Sequence, residues 1–226
     1  MTEVQDEAAS AASAASAAIA DRVVRHHLSE RLYHWLMAAS MLVLLGTGFL
    51  PILGFRFAWV APHWIAGVVL AVLVLIHILR AFTVLKLSSI RIRRQEFSEA
   101  AQASATEVLG GPRIGKRIGK YSVGQKAFHH GVAVVVLLAV VTGLAMMVGI
   151  DGPFWDRDPL FIPADTRGLI FVLHGFAGLF SITMIMVHIY FAFRPEKMYM
   201  TRSMIRGWIS RREYEQNHDT DLWAGD

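Results

Sequence analysis

The 226-residue chain contains no cysteine. That excludes disulfides, iron–sulfur ligation by this chain and thioether-linked haem. Any redox centre must therefore hang on histidine. Carboxylates are absent from four long apolar runs, about 35–53, 62–82, 128–149 and 168–193. Bare zinc prefers four ligands in close tetrahedral array, often thiolates or carboxylates among them; these runs offer neither. A signal peptide is not expected either: the Ala/Ser-rich start carries early acids (Glu3, Asp6, Glu7) and lacks a basic stretch before an apolar core. Residues 1–24 read instead as a flexible, low-complexity tail.

What is there is hydrophobic. Apolar residues make up 54% of the chain, and the mean hydropathy is +0.44. This is the composition of a polytopic membrane protein. Each apolar run is long enough to cross a hydrocarbon core of about 30 Å as a helix. The expected fold class is all-α: a four-helix transmembrane bundle over 25–214, between the tail and a C-terminal tail at 215–226.

Of the 22 Lys and Arg, 19 lie before the first run, in the segment from Arg80 to Lys126, or after the fourth. The other two loops hold only Arg56, Arg157 and Arg167. The positive-inside rule then puts both termini and the long middle loop in the cytoplasm. The same rule accounts for the net charge of +4, so no nucleic-acid partner is expected. The middle loop carries Leu87, Ile90, Ile92 and Phe97 among Arg91, Arg93 and Arg94, a composition suited equally to a short surface helix or a basic linker. Gly110-Gly111-Pro112 breaks it. The outer loop 151–167, with three prolines and Trp155, reads as ordered and fit to dock a partner.

Ten histidines remain. Topology places His63 and His174 alone at the outer side of the membrane, and His34, His77, His129, His130 and His188 at the inner side. Ionisable groups at membrane depth are costly and usually functional. Two histidines at one depth can fill both axial positions of a haem. His174 and His188 are 14 residues apart, so they share a helix face about 21 Å apart along the axis. His63 and His77 repeat that spacing. Gly67 and Gly178 follow His63 and His174 by four residues, on the same face, leaving room for a flat macrocycle beside each ligand. The alternative is ordinary small-residue packing between membrane helices. Gly48 should also turn toward the outer centre. At the inner side His188 is the expected ligand, and its partner is His34 or His77; spacing alone favours His77. His129 and His130 sit at the water boundary and rank below them.

Three stretches extend this reading: Glu30-Arg31-Leu32-Tyr33-His34-Trp35; Gly119-Lys120-Tyr121-Ser122-Val123-Gly124-Gln125-Lys126; and His174-Gly175-Phe176-Ala177-Gly178 running on to His188-Ile189-Tyr190-Phe191-Ala192-Phe193. Through them the chain resembles, from about Arg25 to Tyr214, the gamma subunit of membrane-bound respiratory formate dehydrogenases, a di-haem cytochrome b. The resemblance implies two haem b groups, the outer held by His63 and His174, the inner by His34 and His188. His77 departs from that pattern and stays as an alternative inner ligand. The resemblance also implies a quinone pocket at Ser122, Gly124 and Gln125 beside His188, with Ser122 in place of the family's usual asparagine. It further implies an iron–sulfur beta subunit and a catalytic alpha subunit as partners, and a bacterial cytoplasmic (inner) membrane location. Electrons would pass from the iron–sulfur partner through the outer and then the inner haem to ubiquinone or menaquinone. Formate oxidation itself would lie in another subunit. Similar wiring serves the cytochrome b anchors of hydrogenases and free-standing cytochrome b561-like quinone oxidoreductases. Arg25, Arg31, Arg80 and Arg194 are candidate partners for haem propionates.

Overall fold

A computed structural model describes residues 5, 21–83, 90–92 and 118–224. Its frame is four helices, each long and apolar enough to cross a membrane. They are α1 (Leu28–Phe49), α2 (Val60–Thr83), α3 (Val123–Met146) and α4 (Ala164–Phe193). A single 3₁₀ turn, Met147–Gly149, extends α3. The tail 1–20, apart from Gln5, and most of the middle loop, including Phe97 and Gly110-Gly111-Pro112, lie outside the described residues.

The helices begin where local chemistry lets them. α1 starts seven residues before its apolar run, because the His27 N–H finds the Glu30 carboxylate at 3.2 Å. α3 starts on a capping box: Ser122 Oγ accepts from Gln125 N, and Gln125 Oε1 accepts from Ser122 N. α2 carries Pro62 in its first turn, where the missing N–H costs no helical bond. Gly54 closes the α1–α2 turn at φ +93°, a conformation that excludes most side chains.

Packing in the bundle is inside-out relative to a soluble protein. The buried residues of the four helices include Ser40, Thr47, Ala66, Thr142, Ala177 and Ser181. Leu, Val, Ile and Phe crowd the outer faces. Lipid solvates apolar side chains as well as another helix does, so small and hydrogen-bonded residues take the interior. Ser181 Oγ donates to Ala177 O at 2.8 Å, and Thr47 Oγ1 to Val43 O at 2.6 Å.

A small cap closes the end of the bundle where α1 begins and α4 ends, here called the proximal end. Strands β1 (Arg22–Val24) and β2 (Trp208–Ser210) pair antiparallel, Val23 opposite Ile209. Helices α5 (Met198–Arg206) and α6 (Arg211–Asn217) complete it. Val23, Tyr199, Ile209, Tyr214 and Trp223 form its apolar core. Gly207 ends α5 at φ +94°, and a Cβ there would lie 2.9 Å from His26 O. The expected boundaries at 24/25 and 214/215 therefore fall inside a folded unit: 21–24 are strand and its approach, and His218 and Trp223 are buried.

Arg25 is the hinge of this cap, only 2% exposed. Its Nη2 donates to Lys120 O at 2.8 Å and its Nη1 meets His218 Nε2 at 3.1 Å. A guanidinium only donates, so His218 Nε2 accepts. His218 Nδ1 then donates to Gly119 O at 2.9 Å, and the ring is neutral with its proton on Nδ1. Arg25 is thereby committed to the cap rather than to the bundle interior. Three distant stretches, 21–26, 118–121 and 207–223, are tied to one side chain and its partners.

Candidate functional site

At the distal end, the opposite end from the cap, α2 and α4 bring His63 and His174 together, ring centres 6.2 Å apart and planes 78° to one another. Each imidazole is anchored by a threonine from the preceding helix. His63 Nδ1 lies 2.8 Å from Thr47 Oγ1, and His174 Nδ1 lies 2.9 Å from Thr142 Oγ1. Each hydroxyl already spends its proton on a carbonyl one turn back, Val43 O or Leu138 O, both at 2.6 Å. The threonine oxygen can then only accept from the ring. Nδ1 is protonated in both histidines, and Nε2 keeps its lone pair. That is the tautomer a metal ligand requires, set by a second hydrogen bond on the same ring.

Glycine makes the approach possible. A Cβ at Gly143 would lie 3.1 Å from His174 Cε1, and one at Gly48 would lie 3.5 Å from His63 Cε1. Gly48 thus stands against the distal pair, as its position in the sequence led us to expect. Gly67 and Gly178 look elsewhere: their nearest neighbours are α1 side chains, Leu44 at 3.8 Å and Phe49 at 3.5 Å. Thr47, Thr142 and Gly143 were not singled out from the sequence. The signal was present as a Thr-Gly pair placed 13 residues after a histidine, once in α1 and once in α3.

At the proximal end His34 of α1 faces His188 of α4, again with ring centres 6.2 Å apart. Trp35 stands edge-on to His34, and Phe128 stacks on His188 at 5.9 Å. His34 Nδ1 is buried without a hydrogen-bond partner among the described residues. His77 is not beside His188 in this arrangement. Tyr33 stacks on it at 5.5 Å, and His129 of α3 faces it at 5.8 Å. His130 Nε2 donates to Ile90 O at 3.1 Å.

Ser122, Gly124 and Gln125 form the first turn of α3. The Ser122 and Gln125 side chains are engaged in the capping box, and Gln125 Nε2 also reaches Met200 Sδ on α5 at 3.3 Å. The turn thus touches α5, and Phe128 of the same helix stacks on His188 of α4. Among the candidate propionate partners, Arg31 Nη1 donates to Ile205 O and Arg194 pairs with Glu196 at 3.2 Å.

The two facing pairs can be tested against haem. Metal–imidazole bonds of about 2 Å on opposite sides of one ion put the ring centres about 6 Å apart. Both pairs meet that spacing, and at the distal pair the free nitrogen is the correct one. A haem held by either pair would have both axial positions taken by imidazole, and would supply electron transfer rather than oxygen binding.

The outer loop of the sequence analysis folds at this distal end. Trp155 Nε1 donates to Met147 O and Ile150 O at 3.1 and 3.0 Å, and its ring meets Trp64 edge-on at 5.7 Å. Phe154, Leu160 and Phe161 stand exposed on it.

The family model of prokaryotic cytochrome b561 matches residues 25–207. The formate dehydrogenase cytochrome b556(fdo) subunit of Escherichia coli K12 is 25% identical over 210 residues, covering 88% of this chain and 90% of that protein. The same subunit from E. coli O6:H1 and O157:H7 matches equally. With four apolar helices and paired histidines at both ends, the chain belongs to the prokaryotic cytochrome b561 family.

Proposed function

We propose that this cytochrome b is the membrane subunit of a formate dehydrogenase complex, carrying electrons from an iron–sulfur subunit at the distal end to quinone at the proximal end. The observation that carries the proposal is the recurrence of a histidine pair with ring centres 6.2 Å apart at both ends of the bundle. The full-length similarity to a formate dehydrogenase subunit supports the choice of complex. His63 and His174 hold the distal haem b, and His34 and His188 the proximal one. When bound, these groups supply one-electron carriers at two depths of the membrane.

The chain's own residues set the rest. Thr47 and Thr142 hold the distal imidazoles in the ligand tautomer. Gly48 and Gly143 let α1 and α3 close on those rings. The first turn of α3 bounds the quinone site beside His188. There Gln125 Nε2, resting on a weak thioether acceptor, exchanges Met200 Sδ for a quinone carbonyl while Oε1 keeps the capping bond to Ser122 N. Ser122 serves as the helix cap; its Oγ accepts from Gln125 N, and its O–H is the group that donates to a quinone carbonyl. The positive-inside distribution puts the cap in the cytoplasm, so quinone draws its protons from that side. The folded distal loop, with Phe154, Leu160 and Phe161 exposed, offers the docking face for the iron–sulfur subunit. Family membership alone also fits a free-standing quinone oxidoreductase, which has no use for that face.

The test is formate-driven reduction of b-type haem in native membranes, with the tagged chain pulled down from the same preparation. Reduction by formate, reoxidation by a quinone analogue and co-purification of an iron–sulfur and a large catalytic subunit are expected. Haem reducible only through added quinol, with no co-purifying subunit, would sink the complex. A colourless protein would sink the cytochrome reading.

A further inference from the structure

The two histidine pairs differ in what stands behind the rings. At the distal end both imidazoles donate from Nδ1, His63 to Thr47 Oγ1 at 2.8 Å and His174 to Thr142 Oγ1 at 2.9 Å. Each hydroxyl gives its own proton to a carbonyl at 2.6 Å, Val43 O or Leu138 O. A hydroxyl that is already donating is the better acceptor, because bonds in a chain polarise one another. Both threonines are buried, which keeps water from competing for either oxygen.

The proximal pair is backed by aromatic surfaces instead. His34 Nδ1 is buried with no hydrogen-bond partner among the described residues. Its neighbour Trp35 stands edge-on at 5.2 Å. Phe128 stacks on His188 at 5.9 Å, and a stacked phenyl ring offers no lone pair.

An imidazole that donates from its second nitrogen is a more basic ligand. A more basic ligand favours ferric over ferrous iron, which lowers the potential. Charge acts in the same direction. Ferric haem carries one more positive charge than ferrous, so nearby cations favour the reduced form. The proximal side carries most of the Lys and Arg, whereas the distal side sets Asp151, Asp156, Asp158 and Asp165 against Arg56, Arg157 and Arg167.

We propose that Thr47 and Thr142 set the order of the two haem potentials, holding the distal haem below the proximal one. They are positioning residues that act through His63 and His174. An electron moving inward then runs downhill: one iron is oxidised, the other is reduced, and no bond forms or breaks. This inference rests on the haem ligation of the proposed function.

The experiment measures potentials. The full chain is purified with its haem, and midpoint potentials are read by spectroelectrochemistry. His63→Ala and His34→Ala, each removing one ligand, identify the waves. Two waves are expected in the wild type, the lower one absent from His63→Ala. Thr47→Val and Thr142→Val should each raise the lower wave, the double variant more, with the upper wave in place. Thr47→Ser should keep the wild-type value. Thr183→Val makes the same change on an exposed threonine whose hydroxyl donates to Leu179 O on its own helix, and should move neither wave. Three results would overturn the inference and leave the proposed function standing: a single wave in the wild type, a lower wave that survives His63→Ala, or a lower wave that the valine variants leave unmoved or shift only together with the upper one. No haem in the wild type would overturn both. Where the valine variants purify without distal haem, Thr47→Cys decides, since a thiol is a weaker acceptor. A raised lower wave then supports the inference, and an unchanged one overturns it.

Discussion

Thr47 and Thr142 do the same work on opposite sides of the distal pair. Each accepts a ring N–H because its own proton is already given to a carbonyl one turn back. Thr47→Val keeps the shape and removes the acceptor. Loss of such a supporting bond typically weakens metal retention by about 10–100-fold. The distal haem should therefore be lost preferentially on dilution, with the proximal one retained, and Thr47→Ser should restore it; haem-to-chain ratios on a dilution series check this. Neither threonine was legible in the sequence as a site residue, because a buried threonine in a membrane helix more often back-bonds to its own helix. Only the placement of His63 and His174 within 3 Å gives these two a second role.

His26, just outside the first helix, behaves oppositely to an exposed histidine. Burial holds its imidazole below the ordinary range, against the pull of the Glu30 hydrogen bond. The folded state therefore binds its proton less readily than the unfolded chain does. Stability from this group is full above the unfolded value of about 6.5 and falls as pH drops through it. Thermal unfolding should show a loss of stability below that pH, reduced in His26→Gln.

Helix spans were readable from hydrophobicity because lipid demands long apolar runs and leaves few other solutions. Helix starts were not. α1 begins at Leu28 rather than near Trp35, since capping chemistry acts at residues a hydropathy pattern ignores. Ser122 shows the same limit. Its hydroxyl and backbone cap α3, a role that no hydropathy pattern carries. Ser122→Ala should cost about 1 kcal/mol of stability and leave both haems in place, as read by thermal unfolding with the haem spectrum as a control. The distal loop has a sharper constraint. A Cβ at Gly152 would sit 2.3 Å from the Trp155 ring, so Gly152→Ala must push that ring off its two carbonyl partners. A cost of about 1–3 kcal/mol is expected, with a shift of tryptophan emission toward the water-exposed form.

For the whole molecule, the cap is where sequence reading fell furthest short. Its two ends look like tails in composition, but the 21–26 and 207–223 segments pack against each other and against the stretch before α3. Arg25→Ala would remove two hydrogen bonds of the cap, to Lys120 O and to His218 Nε2, the second of them buried. Unsatisfied buried groups cost about 1–3 kcal/mol each. The variant should lose about 2–4 kcal/mol of stability, and Trp223 should become accessible to aqueous quenchers while the distal haem persists. An Arg25→Lys variant, too short and lacking the fork, should recover little.

The sequence by itself determined the class of molecule: absent cysteine, carboxylate-free apolar runs and histidines at matched depths follow from composition and spacing, which lipid constrains tightly. What the spacing of residues left open, and the tertiary structure decided, is which inner histidines stand opposite one another. Spacing made His77 a natural partner for His188, because both recur every 14 residues on their helices. Helix order instead sets α1 against α4 and α2 against α3, so His34 faces His188 and His77 faces His129. Depth along a helix is a one-dimensional property that a sequence carries; which helix stands opposite is settled only when the bundle closes.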